Sequence, residues 1–338
     1  MSIAKFKDYI LLFFALFFIE CNSLENKDAQ TDTEHLPGYE LIKDWPQLPN
    51  SFPFSQVSAV GVDTSQNIFI LQRTGREWGD SLPDSLISAK TVFLLDKETG
   101  KVLNSWGANM FIMPHGLSVD DQNNVWVIDV ALNQVFKFNH NGELLLTLGV
   151  AKIAGNDSAH FNLPTDVAFA YDGSFYVSDG YENSRIIKFS KEGKYLFQWG
   201  KKGTGHGEFH IPHSLSIDPN GNVFVADREN NRIQEFDMNG NFLKEWKNNQ
   251  ANLLMALCVD KGGSLYAVDY NYESGPKGVD LILFDSGLNL IKRFGRSDLS
   301  GDTSALFHDI AVDKMGNIYV ANIFGYKVQK FKPNSSRQ

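Results

Sequence analysis

From Val57 onward, short runs of alternating apolar residues are broken at regular intervals by polar turns built on Asp-Gly, Asn-Gly or Gly-Gly. The clearest stretches begin at Pro114, Pro164 and Pro212. They read PHGLSVDDQNNVWVIDVALNQVFKFNHNGELLLTLG, PTDVAFAYDGSFYVSDGYENSRIIKFSKEGKYLFQWG and PHSLSIDPNGNVFVADRENNRIQEFDMNGNFLKEW. Each spells four short antiparallel strands, because a period of two punctuated by such turns is the pattern of hairpin-linked strands. Weaker copies start near Val57, Leu254 and Phe307, which brings the repeat to six. Units of roughly 40–50 residues with four strands apiece are the signature of propeller blades. The pattern therefore predicts an all-β fold, a six-bladed β-propeller.

The last copy stops at its third strand, near Phe331, and the missing fourth is found at the other end of the chain. GYELIKDW, Gly38 to Trp45, matches the outer-strand runs GELLLTLG and GKYLFQWG. The expectation is that this N-terminal strand completes the last blade, so that no sheet edge is left open. Residues 38–333 then form one domain, preceded by a polar linker over 22–37 and followed by a short tail over 334–338. Ahead of the linker, Lys5 and Lys7 precede an apolar run from Tyr9 to Ile19, too short to span a bilayer but suited to an export signal over 1–21. Cys21 follows that run and is the candidate lipid anchor, although Glu20 stands where a bacterial lipoprotein site has a small residue. The expected location is the bacterial periplasm or cell envelope.

Composition narrows the function classes. A net charge of −9 leaves no basic stripe for nucleic acid. A hydrophobic content of 43%, with 26 phenylalanines, suits a sheet-rich domain and not a disordered chain. The second of the two cysteines, Cys258, lies in an apolar strand, so no disulfide is expected within the propeller.

The candidate chemistry lies in the repeat itself. At one register the six copies carry Ser58, His115, Thr165, His213, Met255 and His308. The histidines are 98 and 95 residues apart and fall on alternate copies, about 120° from one another in a closed ring of six. A lone histidine there would more simply hydrogen-bond at the entrance to its blade. Three converging imidazoles with a fourth position open are a catalytic zinc arrangement. The loops after the second strands bring Arg73, Tyr181 and Arg228 to the same end of the ring. Arg73 and Arg228 lie in opposed copies, which suits gripping an anion across the pore, while a surface or ion-paired role weighs evenly against it. Arg185 and Arg232 recur in the repeat pattern and read as scaffold donors. Asp129, Asp179, Asp227 and Asp269, with Asn322, end second strands and are expected to tie loops together. His206 and His210, in GTGHGEFH, follow no strand-to-helix pattern that would cradle a phosphate. His35, His140 and His160 fall in polar turns and are expected to be solvated.

The segments PHGLSVD, LPTDVAF, SDGYENSRI, IPHSL, VADRENNRIQ and HDIAVD resemble NHL repeats, and among them the peptidyl-α-hydroxyglycine α-amidating lyases, over roughly residues 50–333. The resemblance implies a zinc ion on His115, His213 and His308, a catalytic Tyr181 and active-site arginines at Arg73 and Arg228. It also implies a structural calcium ion on the carbonyls of Val60 and Leu117 and the carboxylate of Asp309. The substrate would be a peptide or small molecule ending in α-hydroxyglycine, the products an amide and glyoxylate, and the acting species a monomer. The chain departs from the animal pattern at Glu182, which replaces a cysteine, and at Leu306 and Phe307, which replace Met and Pro. Without a copper monooxygenase domain, the hydroxylated substrate is expected to come from elsewhere. Two other readings remain open: a non-catalytic NHL propeller that binds a protein or peptide, and a calcium-dependent lactone hydrolase. The latter would place carboxylates and Asn where this chain has histidines.

Overall fold

The computed structural model describes residues 35–36, 38–49, 51–52, 54–79, 81–250, 252–271, 278–294 and 306–334. The export segment, Cys21, most of the polar linker and the last residues of the tail lie outside them. Among the described residues the regular structure is all β.

Six antiparallel sheets follow one another around a ring. Blade 1 comprises Val57–Val62, Ile68–Gln72, Val92–Leu95 and Val102–Trp106. Blades 2, 3, 4 and 5 repeat the order from inner strands Pro114–Val119, Asp166–Phe169, Pro212–Ile217 and Asn252–Val259. Blade 6 takes Phe307–Val312, Ile318–Asn322 and Lys327–Pro333 from the end of the chain. Its fourth strand is Tyr39–Leu41, which pairs antiparallel with Lys327–Pro333 and closes the ring as the repeat predicted. The strand expected over Gly38–Trp45 is shorter than the pattern suggested. A second short strand, His35–Leu36, pairs outside it, and Trp45 turns inward to lie buried against Tyr319, with ring centroids 5.3 Å apart.

The burial pattern explains why these sequences form blades. The second strands Ile68–Gln72, Val125–Asp129, Phe175–Asp179, Val223–Asp227 and Ile318–Asn322 are buried along their whole length, because each is covered by a neighbouring blade on both faces. Outer strands such as Leu144–Leu148 and Tyr195–Trp199 are largely exposed. Neighbouring blades enclose apolar clusters between them. Phe69, Leu71 and Trp106 of blade 1 pack with Val125, Val127 and Phe138 of blade 2. Tyr319 and Val328 of blade 6 pack with Ile68 and Ile70 of blade 1. The six inner strands contact one another in sequence, the last returning to the first, and so line a single axis.

Candidate metal centre

Each of the three histidines sits at a break in its inner strand. The pairing with the second strand skips from Pro114 to Gly116, from Pro212 to Ser214 and from Phe307 to Asp309. His115, His213 and His308 are thus the extra residues of β-bulges, which re-aim a side chain out of the ladder. Here the three imidazoles turn to the axis. They are buried, with ring centroids 4.9, 4.7 and 5.0 Å apart.

The Asp or Asn that ends the second strand fixes the approach to each bulge, Asn322 accepting Leu306 N–H at 3.3 Å before His308. Asp129 accepts the Ile112 and Met113 N–H groups at 2.7 and 2.9 Å, and Asp227 accepts His210 N–H at 2.7 Å. Arg185 and Arg232 donate to Asp179 and Asp227 at 2.9 and 2.8 Å and are scaffold groups, as expected.

One nitrogen of every histidine is held by the next blade. His115 Nδ1 meets Thr165 O at 2.9 Å, His213 Nδ1 meets Met255 O at 2.7 Å and His308 Nδ1 meets Ser58 O at 2.7 Å. A carbonyl can only accept, so each Nδ1 carries the proton and each Nε2 presents its lone pair. Thr165, Met255 and Ser58 occupy the same register as the histidines, on the blades between them. Their side chains do not serve as ligands; it is their backbone oxygens that contribute. Gly116 makes one contact possible, since a Cβ there would lie 2.6 Å from Thr165 O.

The ligand nitrogens of the three residues lie within 4.8 Å of one another, so this is a group that could hold a metal ion. Three neutral imidazoles of fixed tautomer fit a borderline-soft ion such as zinc. Burial pushes His308 down to about 3 and holds His115 and His213 well below the ordinary imidazole range, with neighbouring histidines and arginines adding to the effect. The histidines therefore stay neutral, the form a metal needs.

Tyr181 stands beside this tier. Its hydroxyl oxygen is 2.9 Å from His115 Nε2 and 3.3 Å from His213 Nε2. Gly180 lets the tyrosine loop come so close, because a Cβ there would lie 2.1 Å from Pro212 O. Trp78 packs on the tyrosine at 5.0 Å between centroids. Arg73 lies over the indole at 5.4 Å and Arg228 over the phenol ring at 5.3 Å. The two arginines thus flank one aromatic pair, with Trp78 an element that the repeat pattern did not single out. No other copy has an equivalent residue, and the only signal was an aromatic residue in the long polar loop REWGDS.

The arginines differ. Arg228 is half-buried and partly committed to Glu229 Oε1, at 3.1 and 2.8 Å. Arg73 is buried, donates from Nε to Pro114 O and from Nη1 to Gln56 Oε1, each at 3.1 Å, and leaves Nη2 with no partner among the described residues. Burial lowers its guanidinium to about 10, against the pull of Tyr181 and Asp129, so it remains charged at neutral pH. A buried donor left without a partner costs about 1–3 kcal/mol, and an anion would satisfy it.

Below the histidines, Val60, Leu117 and Asp309 line one cavity of about 270 Å³. Asp309 accepts Val60 N–H at 3.0 Å. In a strand the N–H and C=O of one residue share an edge, so the Val60 carbonyl lies on the same free edge. This oxygen-rich set fits a hard cation such as calcium.

Among the remaining histidines, His140 is not simply solvated. Its Nε2 lies 3.1 Å from Asp63 Oδ2 and its ring packs on Phe69 at 5.2 Å. His160 pairs with Asp157 at 2.9 Å, and His206 stacks on Phe242 at 3.9 Å.

Over residues 152–336 the chain matches the family DUF5128, described as a 6-bladed beta-propeller. It is 37% identical over 335 residues to peptidyl-glycine alpha-amidating monooxygenase A of Xenopus laevis, covering 92% of this chain and 35% of that protein. It is 35% identical over 326 residues to peptidyl-alpha-hydroxyglycine alpha-amidating lyase 1 of Drosophila melanogaster, covering 85% and 58%. With NHL repeat-containing protein 3 of Mus musculus it shares 30% identity over 367 residues, 97% of both chains. A solved structure of a streptogramin B lyase superposes with a TM-score of 0.57 over 88% of this chain and 98% of that one, at 13% identity, which shows the shared fold. The chain thus spans 35% and 58% of the length of the two amidating relatives.

Proposed function

Because the chain belongs to the six-bladed β-propeller family of NHL-repeat proteins and aligns along most of its length with the amidating lyases, we propose that it cleaves peptidyl-α-hydroxyglycine to a peptide amide and glyoxylate. The observation that carries this reading is the placement of the Tyr181 hydroxyl within 2.9 and 3.3 Å of two Nε2 atoms in a tautomer-locked histidine triad. A non-catalytic NHL propeller, the reading that the full-length mouse relative leaves open, has no need of such an arrangement.

Zinc held by Nε2 of His115, His213 and His308 would polarise the substrate's hydroxyl oxygen and acidify its proton, as it does for bound water. The protein's own groups do the rest. Arg73 directs its free Nη2 to the substrate carboxylate, a charge-assisted contact that sets the α-carbon beside the histidine tier. The Tyr181 oxygen accepts the proton of the α-hydroxyl as its own phenol proton passes to the departing nitrogen. The O–H electron pair becomes the carbonyl of glyoxylate, and the C–N pair leaves with the nitrogen. The nitrogen thus completes the amide and Tyr181 ends with the α-hydroxyl proton in place of its own, so no proton is gained or lost overall. Trp78 and Arg228 both pack on the phenol ring and hold it in place. Asp309 and the carbonyls of Val60 and Leu117 would hold a calcium ion, which would stiffen the pore wall near His308.

The direct test is incubation of the zinc-loaded protein with a peptide ending in α-hydroxyglycine. Glyoxylate and the amidated peptide should appear in equal amounts, far faster than by spontaneous decay. A zinc-loaded protein that releases no glyoxylate would overturn the lyase reading.

A further inference from the structure

One residue beyond the histidine register, the six inner strands carry Ala59, Gly116, Asp166, Ser214, Ala256 and Asp309. Two carboxylates therefore face the axis from blades 3 and 6, on opposite sides of a ring of six. Their settings repeat each other bond for bond. Asp309 accepts its following N–H, from Ile310, at 2.8 Å and that of Val60 on the next blade at 3.0 Å. Asp166 accepts its following N–H, from Val167, at 2.8 Å and that of Leu215 on the next blade at 2.9 Å. Asp166 also accepts from Ser214 Oγ at 2.8 Å, because Ser214 stands where the blade after Asp309 has Ala59.

Both carboxylates line the cavity that also holds Val60 and Leu117, and among the described residues no Lys, Arg or His lines it. Two buried anions on one void, with no cationic side chain to offset them, form an unfavourable pair in metal-free protein. We propose that Asp166 is a second carboxylate of the axial cation site, so that one calcium ion is shared by Asp166 and Asp309 with the Val60 and Leu117 carbonyls. This rests on the calcium reading above, which involves Asp309 alone among the acids. Two carboxylates balance a divalent charge, and an all-oxygen set suits calcium, whereas the nitrogen tier above suits zinc.

The test is calorimetric titration of calcium into chelator-stripped, full-length protein, with thermal melting and zinc content measured in parallel. Wild type should bind one calcium ion and melt higher with it. Asp309→Asn should lose that response. Asp166→Asn should bind calcium at least about tenfold more weakly, since affinity follows ligand charge. Stripped of metal, it should melt no lower than stripped wild type, because a repulsion has gone, and before stripping its zinc content should match that of wild type. Asp166→Ser repeats the test with a smaller neutral side chain. If both Asp166 variants bind calcium as tightly as wild type while Asp309→Asn does not, the role of Asp166 falls and the Asp309 site stands. If wild type binds no calcium, both fall.

Discussion

Two tiers of the same pore, one residue apart in sequence, present opposite chemistries. The upper tier draws nitrogen from blades 2, 4 and 6, and the lower draws carboxylate oxygen from blades 3 and 6. Both use the same device, in which a side chain on one inner strand is fixed by the backbone of the next blade. A carbonyl fixes each histidine and an N–H fixes each aspartate. The backbone edge that faces the axis offers both groups in turn, so a bulge at one residue and an ordinary strand position at the next select which of them is used. The lesson is that the ring's symmetry does not belong to the fold alone. One scaffold of six blades supports a threefold site and a twofold site because substitutions within the repeat choose the spacing.

The most severe way to break the upper tier is to remove a ligand. His213→Ala should abolish zinc retention and lower glyoxylate release by more than about 10³-fold, since a Lewis acid contributes several kcal/mol to the transition state. Calcium binding should survive, because the lower tier keeps its own partners. Metal analysis beside a turnover assay checks both halves, and a variant that retains zinc and turnover would remove the triad from the mechanism.

Tyr181→Phe should be next in size. It should lower kcat by about 10²–10⁴-fold, the range for loss of a general acid or base, and leave zinc content unchanged. Gly180→Ala should imitate it, because the added Cβ would displace the loop from Pro212 O. Should Tyr181→Phe instead raise KM with kcat intact, the hydroxyl would be a binding group and not a proton carrier. Arg73→Ala should cost about 1.5–3 kcal/mol in kcat/KM, the worth of a hydrogen bond to a charged group. The loss should be greater for a free α-carboxylate than for its ester, which a paired assay of the two substrates measures.

Much of this was readable before the structure, and the limits are as informative. The histidine spacing and the GYEL segment revealed the threefold site and the closing strand, because repeats carry their geometry in their period. The sequence could not show that Ser58, Thr165 and Met255 orient the histidines, since they act through carbonyl groups that every residue possesses. Trp78 escaped because it lies in a loop outside the repeat. Asp166 was visible in the letters, as the Asp of PTD matching that of HD in blade 6. Its meaning required knowing that both carboxylates open on one cavity.

The smallest effect separates the tiers by pH in chelated protein. The histidines have folded-state values far below their unfolded value near 6.5. Below about pH 6.5 the unfolded chain takes up protons that the folded tier refuses, so their contribution to stability is lost as pH falls. The aspartates behave in the opposite sense. Their folded values are raised, to about 6 for Asp166 and well above the usual range for Asp309. As pH falls toward the unfolded value near 3.9, the folded pair takes up protons first and a repulsion is relieved. Metal-free wild type should therefore show a shallow dependence of melting temperature between pH 7 and 5, two opposed slopes partly cancelling. Asp309→Asn removes the Asp309 share of the carboxylate slope and leaves that of Asp166, which burial raises, so the histidine slope is offset less and the melting temperature should fall more steeply over the same interval. Melting curves at half-unit pH steps would reveal the difference, and parallel profiles for the two proteins would mean that the aspartates are not coupled across the pore.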